Sequence, residues 1–393
     1  MNDADYTLRL AAGPADIAAT AWNALLHASA APTPFMRHEY LRALDASASA
    51  VAESGWQPLF PTLWRGDELV AACPAYLKTH SWGEYVFDWA WADAYRRHGL
   101  DYYPKLLVAV PFTPVPGSRL LARDAAARAQ LVAALGAIAR ANELSSIHVL
   151  FGDAADQAAL ADAGWLARSG VQFHWQRPAT DAPADFTEFL ATLTRDKRKK
   201  IQQEQRRVRD AGVVFDALEG AAISPDDWDF FYRCYTLTYQ AHRSTPYLTR
   251  EFFAAMAADL PAHWLMFMAR RGDERVACSL VALDPATGQA YGRYWGAVEQ
   301  VPCLHFDACY YQPLAWCLAN GYRRFEGGAQ GEHKMARGLL PVPTHSAHWL
   351  AHPQFRAAVG DFLAREGLAI DAYVNELAEH QPFKTMASPP GDA

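Results

Sequence analysis

The run Phe325-Glu-Gly-Gly-Ala-Gln-Gly-Glu-His-Lys-Met-Ala-Arg-Gly338 gathers more reactive side chains than any other stretch of this chain. A short strand ends in Glu326, the glycine-rich turn Gly327 to Gly331 follows, and Glu332, His333, Lys334 and Arg337 come directly after it. Glycines let backbone amides approach an anion or an acyl oxygen closely, and charged groups beside such a turn can activate or orient an amine. The plainer reading is a tight strand-to-helix turn with surface charges. Four ionisable groups beside residues this small weigh against it.

Two further stretches offer binding chemistry. Helical spacing over Arg195 to Arg209 aligns Arg195, Lys199, Arg206 and Arg209 on one face, while Leu190, Leu193, Ile201 and Val208 line another. A basic stripe on an anchored helix suits phosphate, because guanidinium forks bind phosphate oxygens bidentately and lysine adds a point charge. The same pattern describes a solvated helix face. Arg195, Lys199 and Arg206 are the phosphate-binding candidates. Asp185, three residues before Glu188, predicts a capping box, with Thr192 to Thr194 as the place where the element splits.

Between Ser81 and Lys105 eight aromatic residues interleave with acids. Alternation predicts a strand over Tyr85 to Trp91, with Tyr85, Phe87, Trp89 and Trp91 on one side and Asp88 on the other. Aromatic walls with a few acids hold a sugar or a peptide stem, and they are also how a core strand looks. Asp88, Asp93 and Lys105 would be costly to bury unpaired, which predicts paired or ligand-facing roles. Asp88, Trp89, Trp91, Asp93, Tyr103 and Lys105 are therefore the substrate-binding candidates, joined by Gln330 and Arg337 from the glycine-rich turn. Thr344 to His348 alternates as a strand and sends His345 and His348 to opposite faces, so a metal shared between them is not expected. The sequence has no Gly-x-Ser-x-Gly elbow, Walker loop or HExxH.

These residues sit in a chain of 393 residues, 51% hydrophobic and 20% charged, the composition of an ordinary globular enzyme. The net charge of -7 argues against a protein that coats nucleic acid over its whole surface and leaves room for one local basic site. Six cysteines form no CxxC and no zinc-like pairing with histidines, so neither a disulfide framework nor a structural metal is expected. The start MNDADYTLRLAAG lacks the basic and apolar regions of a secretory signal, and no stretch approaches the ~18 apolar residues of a membrane span. Together these features predict a soluble cytoplasmic protein with buried free thiols.

The elements that must position the chemistry come in two sets. PFMRHEYLRAL at residues 34–44 is answered by PYLTREFFAAM at 246–256, and Arg65-Gly-Asp-Glu-Leu-Val-Ala71 by Arg271-Gly-Asp-Glu-Arg-Val-Ala277. In each copy an apolar-striped helix precedes two strands meeting at a Gly-Asp turn, a strong hairpin signal. A period this long is too great for a solenoid, whose units run ~20–50 residues, and indicates a duplicated α/β domain. Such a domain usually places its site where the halves meet. The expected division is a first unit over 1–177, a linker and basic helix over 178–212, a second unit over 213–382, and a disordered tail over 383–393.

Helices alternating with a meandering mixed sheet resemble the GNAT acyltransferase fold. The basic segment Thr194 to Ile201, the helix end Ala319-Asn-Gly-Tyr322 and the run Phe325 to Gly338 look like the FemAB-like, double-GNAT family of peptidoglycan biosynthesis or recognition. The resemblance covers roughly residues 6 to 380. It implies an α/β (α+β) fold of two tandem GNAT-like units, each a mixed central sheet flanked by helices, and transfer of an acyl or aminoacyl group to an amine, on a peptidoglycan precursor as the family label suggests. Acyl transfer needs a base for the amine proton, which selects Glu326 first, then Glu332, His333 or His305. Lys334 and Arg337 would hold the donor's phosphates or polarise its carbonyl. Tyr311 and its neighbour Tyr310, answered in the first half by Tyr102 and Tyr103, would protonate the leaving group. The connection Trp295 to His305 does not match the Arg/Gln-x-x-Gly-x-Gly/Ala loop of acetyl-CoA enzymes. The donor therefore stands between acetyl-CoA and aminoacyl-tRNA, with tRNA as a partner in the second case. An acetyl-CoA-dependent N-acetyltransferase and a non-catalytic protein that recognises a peptidoglycan precursor remain as alternatives.

Overall fold

Both Gly-Asp turns close hairpins. Gly66 and Gly272 sit at φ of 60° and 58°, the left-handed region that glycine enters without steric cost, and in both hairpins the register slips just before the turn, at Leu63/Trp64 and at Ala269/Arg270. The structure, a computed structural model, describes residues 6–328 and 331–384. The tail expected to be disordered falls outside them from residue 385 on.

In chain order the strands are β1 (Thr7–Ala11), β2 (Trp56–Pro58), β3 (Phe60–Arg65), β4 (Glu68–Ala72), β5 (Ala75–Lys78), β6 (Lys105–Val108), β7 (Leu121–Ala122), β8 (Ser146–Val149), β9 (Leu166–Gln176), β10 (Val213–Glu219), β11 (Trp264–Arg271), β12 (Glu274–Asp284), β13 (Gln289–Ala297), β14 (Arg324–Glu326) and β15 (Leu340–Leu350). The helices are α1 (Ala19–His27), α2 (His38–Ala46), α3 (Trp89–Arg97), α4 (Ala125–Ala141), α5 (Ala154–Asp162), α6 (Phe186–Thr192), α7 (Arg195–Asp210), α8 (Pro225–Ala241), α9 (Arg250–Asp259), α10 (Leu304–Phe306), α11 (Gln312–Ala319) and α12 (Pro353–Glu379).

The chain divides into two units that are interleaved along the sequence. One takes the residues up to Val171 with Tyr247–Leu260 and Pro343–Ala372; the other takes Gln172–Pro246, Pro261–Val342 and the chain from Tyr373 on. A division into consecutive halves does not anticipate this, because α9, the second copy of the duplicated helix, packs on α2, the first. Tyr40 meets Phe252 edge to face at 5.3 Å, and Arg42 donates to Asp259 at 2.7 Å.

In the first unit β1, β3, β4 and β7 form one antiparallel sheet, and β15, β8, β6, β5 and β2 follow one another in a second, with β6 and β8 parallel. Helix α4 starts at Asp124, whose side chain accepts from the Ala127 amide. It buries Leu131, Val132, Leu135 and Ile138 against Leu63, Val70, Leu106 and Ile147, each such side chain contributing roughly 1.5–3 kcal/mol.

In the second unit the strand order is β10, β11, β12, β13, β14 and the end of β9. Helix α8 opens with a full capping box between Ser224 and Asp227 and lays Trp228 and Tyr235 over the sheet, Trp228 against Trp264 and Tyr235 against Tyr294. Asp185 accepts from the Glu188 amide to start α6, and the element breaks at Leu193 and Thr194 before α7. Helix α7 buries Ile201, Glu204 and Val208 and turns its basic residues outward.

One expectation is overturned. Tyr85 to Trp91 is not a strand: residues 79–88 are irregular and Trp89 opens α3, which exposes Trp89 and buries Trp91. The alternation of rings misleads because Asp88, at the helix N-cap, gives its carboxylate to Lys105 rather than to the helix amides.

Candidate functional site

A wedge opens in the second unit where β13 and β14 part. The two strands run parallel but pair only from Gln289–Arg324 to Tyr291–Glu326. Beyond that, β12 changes register against β13 between Leu280 and Val281, leaving Arg293 as the extra residue. A bulge of this kind bends its strand. Between the diverging ends lies a cavity of about 130 Å³, lined by Ser279 to Val281 on β12, Gly292 to Trp295 on β13, Gly327 and Gly328 after β14, and His305, Cys309 and Tyr310. A larger groove of about 660 Å³ adjoins it, between the end of α8 and the segment Glu299 to His305, and shares Trp295 and His305 with it.

The helix beside the wedge is irregular. Helix α10 passes through one π-helical turn, Asp307–Tyr311, into α11, a distortion that often marks functional positions. That turn sends two neighbouring tyrosines to different places. Tyr310 lines the small cavity, and its hydroxyl lies 3.1 Å from Nε2 of His333. Tyr311 instead donates to Glu204 of α7.

Glu204 is the hub of a buried network. Nη2 of Arg337 reaches both its oxygens at 3.1 Å, Nη1 donates to the His333 carbonyl at 2.6 Å, and the guanidinium lies 3.6 Å over the Phe306 ring. Arg337, expected to meet a substrate, here fixes the turn that carries His333 and Lys334 through Nη1 and Nη2. In sequence Glu204 is one of three acids in a basic helix, with Asp196 and Asp210. Its position between Ile201 and Val208, on the apolar face, was the available signal.

The remaining candidates separate. Lys334 is buried and donates to the Gly328 carbonyl at 2.7 Å, and desolvation pushes its ammonium down to about 8. His305 and His333 lie below the ordinary histidine range, through desolvation first and then nearby cations, Arg337 and Lys334 among them. Both are neutral near pH 7. Burial raises Tyr310, which keeps its proton, and Cys309, which stays a thiol. Glu332 is exposed and accepts from Tyr373 at 2.6 Å. Glu326 is buried with Oε1 3.8 Å from Arg324 and 3.9 Å from His174, and it lines neither cavity. Gln330 lies outside the described residues.

The first-unit candidates form a closed network instead. Lys105, fully buried, donates to Ser81 and Glu84 at 2.8 Å each and to Asp88. Tyr102 donates to Asp88 at 2.6 Å and touches His148, whose Nδ1 is 2.6 Å from Nδ1 of His348. Burial alone would raise Asp88, but the Lys105 ammonium outweighs it and holds the carboxyl below its usual range; Glu84 is pushed up to about 7, burial prevailing. Tyr103 meets Ser81, Trp91 packs edge-on against His348, and Asp93 pairs with Arg96 and Arg97 at the surface. On α7, Arg195, Lys199 and Arg206 are all exposed. Among the described residues no group of three His, Cys, Asp or Glu is placed to hold a metal ion.

Comparison with known proteins agrees with this architecture. A family model described as FemAB-like, peptidoglycan biosynthesis/recognition, matches residues 14–385. No curated protein matches the chain. Among solved structures, L-PGS from Bacillus licheniformis is 11% identical with a TM-score of 0.53, covering 89% of this chain and 98% of its own. FemX is 10% identical with a TM-score of 0.53, covering 88% and 98%. A tandem GNAT protein from the clavulanic acid biosynthesis pathway is 14% identical with a TM-score of 0.47, covering 89% and 99%. At such identities the likeness is one of fold, shared with L-PGS and FemX.

Proposed function

This chain belongs to the FemAB-like family, and we propose that it is an N-acyltransferase that passes an acyl or aminoacyl group to an amine of a peptidoglycan precursor, with the reacting carbonyl in the wedge between β13 and β14. The observation that carries the proposal is the wedge itself. Two parallel strands that stop pairing free their inward backbone groups, and the freed stretch lies beside a neutral histidine and a protonated tyrosine.

The amine nitrogen attacks the carbonyl carbon, and the bond to the donor's oxygen or sulfur breaks. His305, which faces both cavities, receives the proton that the amine loses. Tyr310 gives its proton to the leaving group and recovers one through His333, which reaches solvent. A positioned acid or base of this kind contributes ~10²–10⁴ in rate. Lys334 holds the Gly328 carbonyl and so fixes the shape of the wall opposite β13.

The groove favours an aminoacyl donor over acetyl-CoA. Its lining contains Glu299 and neither lysine nor arginine, a poor setting for a pyrophosphate. A polyphosphate chain finds its charge complement on α7, where Arg207 reaches Cys303 at the rim of the groove, at 3.9 Å. Aminoacyl-tRNA fits both features.

The test incubates the full chain with a UDP-linked muropeptide and either acetyl-CoA or a mixture of aminoacyl-tRNAs, and reads the muropeptide by mass spectrometry. An added aminoacyl mass that disappears in His305→Ala supports the reading. An added acetyl mass replaces the donor and keeps the site. No added mass with any donor, and no rise in melting temperature with any of them, overturns it.

A further inference from the structure

The irregular segment of residues 79–88 and the first residue of α3 sort their side chains into two sets. Ser81, Glu84 and Asp88 are buried, and all three meet the same ammonium, that of Lys105. An ammonium has three donors, and one loop consumes every one of these. Two more basic side chains hold the loop's backbone. Lys78 donates to the Trp82 carbonyl at 3.4 Å, and Arg168 donates to the Phe87 carbonyl at 2.8 Å while pairing with both oxygens of Glu366. Trp82, Phe87 and Trp89 point the other way, 59%, 53% and 39% exposed.

Burying charge is costly unless it is fully paired, and a fold that does so gains fixed geometry. Here the geometry fixed is that of three aromatic rings standing in water, which marks a surface meant to be covered. We propose that this loop seats the protein on an anionic phospholipid surface, with the rings at headgroup level.

The choice of partner follows from what surrounds the rings. Sugars are held by flat ring faces flanked by acceptors for hydroxyls. Trp82 and Trp89 are tilted by 60° to one another at 5.0 Å, and the loop's carboxylates are turned inward onto Lys105. A deformable apolar layer needs neither coplanarity nor acceptors. Tryptophan and phenylalanine favour the zone between headgroup and acyl chain, and arginine is drawn to anionic lipid. Helix α3, which begins at Trp89, carries Arg96 and Arg97 exposed at 81% and 67%; Asp93, its single acid, pairs with both and leaves one positive charge in excess there. No described helix is long and apolar enough to cross a membrane, so the contact is peripheral.

The test is sedimentation of the full chain with vesicles of phosphatidylcholine, with and without phosphatidylglycerol. The wild type is expected to partition onto vesicles containing phosphatidylglycerol. Combined Trp82→Ser, Phe87→Ser and Trp89→Ser lowers that partition about tenfold or more with unchanged circular dichroism, since the rings support no core. Arg96→Glu with Arg97→Glu, at exposed positions that leave the fold intact, abolishes the preference for anionic vesicles. The proposal is overturned if the wild type sediments with neither vesicle, if either variant partitions as the wild type does, or if the rings prove to bind soluble muropeptide while vesicles are ignored.

Discussion

Replacing Lys105 by methionine keeps the length of the side chain and removes the ammonium that Ser81, Glu84 and Asp88 share. Two buried carboxylates are then left facing each other without their cation. Breaking a buried pair by deleting one partner costs about 3–5 kcal/mol. A unit of this size loses about 2–4 °C of Tm per kcal/mol, so the first unit should melt roughly 6–20 °C lower near neutral pH. The penalty should also depend on pH with a definite sign. In the wild type Asp88 is held below its ordinary value, so its contribution is present above that value and is lost only in strong acid. In Lys105→Met both carboxyls lie above their ordinary values. Their folded-state contribution is then complete below about pH 4 and fades as pH rises through the raised values. The Tm gap between variant and wild type is therefore wider at pH 8 than at pH 5. Thermal melts followed by circular dichroism across that range check it, and adding Glu84→Gln and Asp88→Asn to Lys105→Met should restore most of the loss. A gap of under about 2 °C at pH 8, or one that does not change with pH, would refute the reasoning.

Other consequences are accessible to mutation. A Cβ at Gly296 would stand 2.2 Å from the Cys234 carbonyl oxygen, a backbone atom of α8, so Gly296→Ala should push β13 off α8, cost about 1–3 kcal/mol in a chemical denaturation curve and distort the wedge. Arg337→Lys loses the stack on Phe306 and the fork on Glu204, and should lower the Tm of the second unit although charge is conserved. Tyr310→Phe should lower transfer ~10²–10⁴-fold, whereas Tyr311→Phe should act on stability through Glu204; kcat measured beside Tm separates the two. With His305 and His333 held below their ordinary range, transfer should persist as pH falls through 6.5 and fail only lower, and it should decline above about 8 as Lys334 loses its charge; a pH–rate profile reads both limbs. Neutralising Arg195, Lys199 and Arg206 together should reduce the slope of log affinity for tRNA against log salt by about 2–3.

What the sequence makes legible is local. The Gly-Asp turns, the Asp185 cap and the break before α7 each carry their signal within a few residues, and each forms where the pattern places it. Helix α3 misleads because four aromatics happen to alternate while Asp88, an obvious cap, is committed to Lys105 seventeen positions away. Helix α12 passes unread although it buries Val359, Leu363 and Leu377 along one side. The placement of α9 on α2 is a tertiary choice that no local pattern encodes. The candidate site divides in the same way. His333, Lys334 and Arg337 cluster in sequence and share one turn, yet Arg337 is held by Glu204, 133 positions away. The wedge depends on a bulge at Arg293 and a π turn at Asp307–Tyr311, both of which are backbone events set by packing.

The most direct measurement of the central claim is an experimental structure of the chain with a stable, amide-linked analogue of the donor that supports transfer. The account predicts the analogue's carbonyl between Gly292–Trp295 and Gly327–Gly328, within reach of His305 and Tyr310, with the rest of the donor in the adjoining groove. An analogue seated elsewhere, with the wedge collapsed or empty, would contradict it.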